Sequence, residues 1–299
     1  MKNLSEEKKI REWIEDCEAA LRHRLDEIAR VLCGEDLRLI RLAGPTCSGK
    51  TTVANLLIRR FEEHGKRLHL ISIDDFYYDK EVLHANAENH ESGEVDYDSV
   101  KTIDLAALAD FIEEIFTEEK SHCPTFDFKV GRRVGYRTVE SGAKDVFLFE
   151  GIQAVYPEVT ALLDTSGHRS AGLYIAPFTA VEAGGARFEP NELRLLRRLV
   201  RDSNFRGTDP AFTLGLWAGV RRNEEENIFP HASACDMRID SSMAYELGVL
   251  KPYLERILPT VPKENPHRAA AEAILERLAT VESIDSAWIR PDSLYREFV

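Results

Sequence analysis

Apolar residues return every three or four positions at Ile10, Ile14, Cys17, Leu21, Leu25, Ile28 and Leu32, a spacing that predicts one amphipathic helix over 5–33. Gly34 follows where a glycine cap would end it. Such a stripe packs most simply on its own domain, and it also leaves a seam between copies, hence a homo-oligomer, open. From residue 37 the pattern changes. Near-continuous apolar runs at Leu37–Ala43, Leu68–Ile73, Val146–Phe149, Leu173–Ile175 and Met237–Ile239 alternate with helical stretches at 50–64, 102–117 and 190–202. Buried apolar strands separated by helices predict an α/β fold whose mainly parallel sheet is covered on both faces. Around residue 260 come Pro259, Pro262 and Pro266, then a helix near 267–281 and an irregular end. The expected organisation is an N-terminal helix (1–34), a main domain (35–259) and a C-terminal helical appendage (260–299).

Composition narrows the function classes. Of 299 residues, 39 are basic and 52 acidic, a net charge of −13, which argues against a nucleic-acid partner because phosphate backbones are held by clustered Lys and Arg. The longest apolar runs are strand-sized and the charged first 25 residues hold no apolar leader, so neither a membrane span nor a secretory signal is expected. Cys17, Cys33, Cys47, Cys123 and Cys235 are scattered, odd in number and without CxxC spacing. They read as free thiols of a cytoplasmic protein.

One motif carries specific chemistry. Gly44-Pro45-Thr46-Cys47-Ser48-Gly49-Lys50-Thr51 fits G-x-x-x-x-G-K-[ST] in full, after an apolar run and before an amphipathic stretch beginning Thr52-Val53-Ala54. That order is what a phosphate loop requires, because its glycines let backbone N–H groups turn inward and the helix N-terminus adds partial positive charge. Lys50 would reach the β and γ phosphates of ATP, and the Thr51 hydroxyl would ligate Mg²⁺.

Four further stretches bear on the reaction. Ile71-Ser72-Ile73-Asp74-Asp75-Phe76-Tyr77 ends a strand in two carboxylates, one of which could accept an acceptor's hydroxyl proton; either could instead cap a helix. Asp145–Gly151 is an apolar strand ending in Glu150, an acid placed to hold Mg²⁺. Arg194, Arg197, Arg198 and Arg201 share one helix face, with Arg206 and Arg222 beyond. The row suits a lid that clamps phosphates, or a solvated face paired with Glu192 and Asp202. Pro124-Thr125-Phe126-Asp127-Phe128-Lys129 could stack on a ring or form an edge strand. His84 and His90 fall in a polar stretch, 84–98, expected to be a flap near the acceptor.

In this order and spacing the set resembles the uridine kinase and phosphoribulokinase family of P-loop kinases, and is most similar to uridine–cytidine kinases. The likeness runs over about 37–258 and rests on the phosphate loop, Ser72–Tyr77, Phe126-Asp127-Phe128, Phe149-Glu150-Gly151-Ile152 and Arg197-Arg198-Leu199-Val200-Arg201-Asp202 continuing to Arg206-Gly207. The tail Ile289–Phe298 is similar to the ends of a longer bacterial subgroup.

The resemblance implies a three-layer α/β/α P-loop NTPase fold with an arginine-bearing helical lid. It further implies MgATP-dependent phosphorylation of a nucleoside 5′-hydroxyl. It assigns Asp74 as base, Tyr77 and Phe126 as substrate contacts, Glu150 and Thr51 as magnesium ligands, and Arg198, Arg201 and Arg206 as lid and substrate arginines.

The chain departs from the family pattern at the acceptor side. Phe126 lacks a tyrosine's hydroxyl, Gly131 stands where the family has a base-reading histidine, and Thr208 interrupts an Arg-Gly-Arg-Asp stretch. Arg132 and Arg133 could read an anionic acceptor instead. Alternatives are therefore a phosphoribulokinase-like or pantothenate kinase-like acceptor, or a nucleotide-binding regulatory protein without turnover. A GTPase would need Asn-Lys-x-Asp, which is absent.

Overall fold

The computed structural model describes residues 4–87 and 99–299. Its centre is a five-stranded parallel sheet of β1 (Leu39–Ala43), β2 (Leu68–Ser72), β5 (Val146–Glu150), β6 (Ser170–Ala176) and β9 (Met237–Asp240), in the order β2-β5-β1-β6-β9. Between β2 and β5 the chain forms an antiparallel hairpin, β3 (Lys120–Asp127) and β4 (Arg132–Glu140). A second small hairpin, β7 (Val181–Ala183) and β8 (Ala186–Phe188), follows β6.

The helices are α1 (Leu4–Gly34), α2 (Lys50–Glu63), α3 (Lys80–Ala87), α4 (Leu105–Thr117), α5 (Pro157–Thr165), α6 (Pro190–Arg206), α7 (Pro210–Asn223), α8 (Phe229–Ala232), α9 (Glu246–Ile257) and α10 (Arg268–Leu278). The strand and helix expectations at the sheet, α1, α2, α4, α6 and α10 agree with this to within a few residues. Gly34 ends α1 without entering the left-handed region expected of a glycine cap. No helix among the described residues is long and apolar enough to cross a membrane. All five cysteines are free thiols.

Alternation along β1 sorts the two faces, because successive strand side chains point to opposite sides. Ile40 and Leu42 join the apolar stripe of α1 and the buried side of α2, while Leu39 and Ala43 join α4 and α5. A third cluster holds α6, α9, α10 and the small hairpin together. This is the three-layer α/β fold. β5 and β6 lie on opposite sides of β1, so the strand order reverses there and opens a crevice at the carboxyl ends of the strands, the place where open α/β sheets bind ligands.

Candidate active site

The loop from Gly44 to Gly49 fills that crevice between β1 and α2. A Cβ at Gly44 would lie 2.1 Å from the Ile175 carbonyl oxygen, so β6 leaves room for hydrogen alone. Gly49 adopts φ 92° at the N-cap of α2, and Cys47 holds φ 57°. Left-handed backbone at a cysteine costs about 1–3 kcal/mol and persists only where the surroundings impose it.

Two arginines impose it. Arg194 of α6 donates to the Thr46 carbonyl (3.2 Å) and Arg197 to the Cys47 carbonyl (3.3 Å). Each is buried and held by a fork-like ion pair, Arg194 on Glu224 (2.5 and 2.6 Å) and Arg197 on Glu246 (2.8 and 3.1 Å). Tied down in this way, they brace the loop from behind and are not available to swing over a substrate. The expected lid row is corrected accordingly. The other three arginines of α6, Arg198, Arg201 and Arg206, converge on a single carboxylate, Asp202, at 3.3, 2.8 and 3.6 Å. Three cations sharing one anion leave a surplus of positive charge, and burial with the neighbouring Arg201 pushes the Arg206 pKa down. Glu192 caps α6 and pairs with Arg277 instead of this row, and Arg222 is exposed.

Across the crevice, β2 and β5 bring their last residues into register, Ser72 beside Glu150. Burial raises the Glu150 pKa to about 7, opposed by Lys50 and reinforced by Asp74 and Glu297. The Asp74 pKa is also raised, by burial first, against the pull of the Gln153 amide and Lys50. Gln153 Nε2 donates both to Asp74 Oδ1 (3.1 Å) and to the Tyr77 hydroxyl (3.2 Å), joining the acid to the aromatic side. Lys50 folds back on its own loop, donating to the Gly44 and Pro45 carbonyls at 3.0 and 3.2 Å. Lys50, Asp74 and Glu150 thus act on one another electrostatically.

The donor set fits a magnesium–nucleotide. Ser48 Oγ is a buried hydroxyl without a partner inside the loop, and Thr51 is exposed at the start of α2. No cluster of three or more His, Cys, Asp or Glu side chains able to hold a metal occurs among the described residues. A hydroxyl and one or two carboxylates suit a hard cation that keeps its waters and is carried on substrate phosphates.

The hairpin packs against the segment that follows β2. Asp75 accepts from the Phe126 amide (3.2 Å) and faces Arg137 (3.8 Å), so it anchors β3 and neither caps a helix nor opens into the crevice. The rings of Tyr77, Phe126 and Phe128 form one cluster with centroids 5.0–5.6 Å apart. Gly131, at φ 76°, makes the hairpin turn. Arg133 is consumed by Asp104 (3.0 Å) and the Phe76 carbonyl (3.1 Å), which corrects its reading as a substrate arginine; Arg132 is exposed. The expected flap over 84–98 begins in α3 and for the most part lies outside the described residues.

Sequence reasoning missed Gln153, three positions past Glu150, and Glu224, Glu246 and Glu297. Only Gln153 carried a signal, its place just beyond a strand-ending acid.

Residues 39–168 match the family described as the Phosphoribulokinase / Uridine kinase family. Among curated relatives, the uridine kinase of Staphylococcus epidermidis is 29% identical over 212 residues, covering 71% of this chain and 91% of that protein. A uridine-cytidine kinase C of Dictyostelium discoideum is 26% identical over 173 residues, which span 58% of this chain but 31% of that much longer protein. Among solved structures, a possible uridine kinase from Bacillus stearothermophilus aligns with a TM-score of 0.48 at 18% identity, over 74% of this chain and 100% of that one.

Proposed function

We propose that this chain, whose residues 39–168 match the phosphoribulokinase / uridine kinase family, transfers the γ-phosphoryl group of MgATP to the 5′-hydroxyl of a nucleoside of the uridine or cytidine type. The observation that carries the reading is the Asp74–Gln153–Tyr77 constellation, which joins an acid to the aromatic hairpin and lies near enough to Lys50 of the phosphate loop to feel its charge.

In this reading the amides of Gly44 to Thr52 and the Lys50 ammonium hold the phosphates, with the carbonyls braced outward by Arg194 and Arg197. Thr51 and Glu150 would hold Mg²⁺, which would neutralise charge on the phosphates. Asp74, whose proton affinity burial has raised, accepts the acceptor's hydroxyl proton. As the new oxygen–phosphorus bond forms, the bond to the β–γ bridging oxygen breaks and ADP leaves with that electron pair. Arg198, Arg201 and Arg206 supply positive charge to the transferring group.

Phe126, which has no hydroxyl, and Gly131, which brings no side chain to the hairpin turn, favour a second reading in which the acceptor is not a pyrimidine nucleoside. Unpaired polar groups are what give a site its discrimination between related acceptors. Coupled ADP release with MgATP against uridine, cytidine, thymidine, purine nucleosides, ribulose 5-phosphate and pantothenate separates the two. Pyrimidine turnover supports the first, turnover confined to other acceptors supports the second, and silence across the panel removes the first.

A further inference from the structure

The end of the chain does not stand apart from the phosphate loop. Leu294 packs so tightly on Gly49 that a Cβ there would meet its side chain at 2.3 Å. The Tyr295 hydroxyl accepts from Arg197 (2.6 Å), the arginine that braces the Cys47 carbonyl. Asn204 of α6 donates to the Phe298 carbonyl at 3.1 Å. Leu294, Tyr295 and Phe298 are fully buried, so this segment is seated rather than draped.

α1 holds it from the other side. The buried Glu18 carboxylate accepts from Tyr245 (2.5 Å) and from Ser293. Arg11 lies 5.2 Å from the centre of the Trp288 ring, and Glu15 lies 3.7 Å from Arg290.

Between Tyr295 and Phe298 this seating places Glu297 at the mouth of the loop. Its carboxylate accepts from the Thr52 hydroxyl (3.4 Å), in the first turn of α2. It also lies near enough to Arg201 and Glu150 to act on both electrostatically. A helix N-terminus flanked by a phosphate loop and surplus guanidinium charge attracts anions, and here a carboxylate of the chain itself reaches that terminus through the Thr52 hydroxyl.

We infer that Glu297 is a built-in competitor for the nucleotide's phosphates: its carboxylate occupies the anion seat at Thr52 and Arg201 and must be displaced for MgATP to bind. The inference rests on the nucleotide reading of the site given above. It gives α1 and residues 286–299 a common task, since together they hold one carboxylate at the loop and so set the affinity for nucleotide.

The test is calorimetric titration of the full chain and its Glu297→Gln and Glu297→Ala variants with MgATP, tripolyphosphate and adenosine. The glutamine keeps shape and hydrogen bonding while removing the charge, and the Tm of each variant verifies folding. Loss of the competing carboxylate is expected to tighten MgATP and tripolyphosphate about tenfold in both variants, the order of one close like-charge contact at partial exposure, and to leave adenosine unchanged. Unchanged or weakened phosphate binding in both variants overturns the inference while leaving the nucleotide reading intact. Failure of MgATP to bind to any of the three proteins overturns both.

Discussion

Glu150 gives the site its clearest pH signature. Burial at the end of β5, with Asp74 and Glu297 nearby, raises its pKa from 4.5 to about 7 despite Lys50. In the unfolded chain the group loses its proton near 4.5, but in the folded protein it keeps the proton until about 7. The folded state therefore binds more protons between those values, so stability falls as pH rises through that window. Below 4.5 the group contributes no penalty; above 7 the penalty is complete. A shift of about 2.5 units at 1.36 kcal/mol per unit makes it about 3 kcal/mol in the absence of metal.

Glu150→Gln removes the titration and keeps the shape. Urea unfolding of wild type and variant without nucleotide or metal, from pH 4 to 8, should give a difference that grows in the variant's favour up to about pH 7 and then levels. Taking the difference between the two proteins cancels the groups whose pKa is lowered by an ion pair, such as Asp145, or by hydrogen bonds, such as Asp240. A flat difference across the range would refute the burial argument. A difference that grows toward low pH would refute its sign.

Other perturbations read other parts of the site. Asp74→Asn should retain MgATP binding and lose about 10²–10⁴ in kcat, the usual worth of a positioned proton acceptor; near-normal turnover would remove Asp74 from that role. Gln153→Leu takes away the hydrogen bond that lowers the Asp74 pKa, so the acid limb of the kcat/KM profile should move to higher pH, and an unmoved limb would show that the amide does not tune Asp74. Arg197→Met strands Glu246 in the core and should cost about 3–5 kcal/mol in urea unfolding, most of it recovered by adding Glu246→Leu. Equal destabilisation in the double variant would show that the bonds to Cys47 and Tyr295 matter more than the stranded charge.

What could be read from the chain alone followed physical periodicity. The central strands β1, β5 and β6 are largely apolar runs buried on both sides, and the phosphate loop is a local pattern whose glycines answer local demands, so both were legible. The arginine row shows where that legibility stopped. Helical spacing puts Arg194, Arg197, Arg198 and Arg201 on one face, yet the partners that divide them are Glu224, Glu246 and Asp202, and two of these lie on other elements far along the chain. Asp75 and Arg133 were opaque for the same reason, since each is committed to a contact across the hairpin or to α4's cap. Glu297 lies 245 residues from Thr52, and nothing periodic connects them.

The most direct test of the account follows phosphorus by nuclear magnetic resonance while the protein is incubated with MgATP and uridine or cytidine. It predicts that the γ-phosphate signal declines as a phosphomonoester signal on the nucleoside's 5′-oxygen grows in step with ADP, and that Asp74→Asn abolishes this growth. Inorganic phosphate appearing in place of the ester, or an ATP spectrum unchanged by either nucleoside, would contradict it.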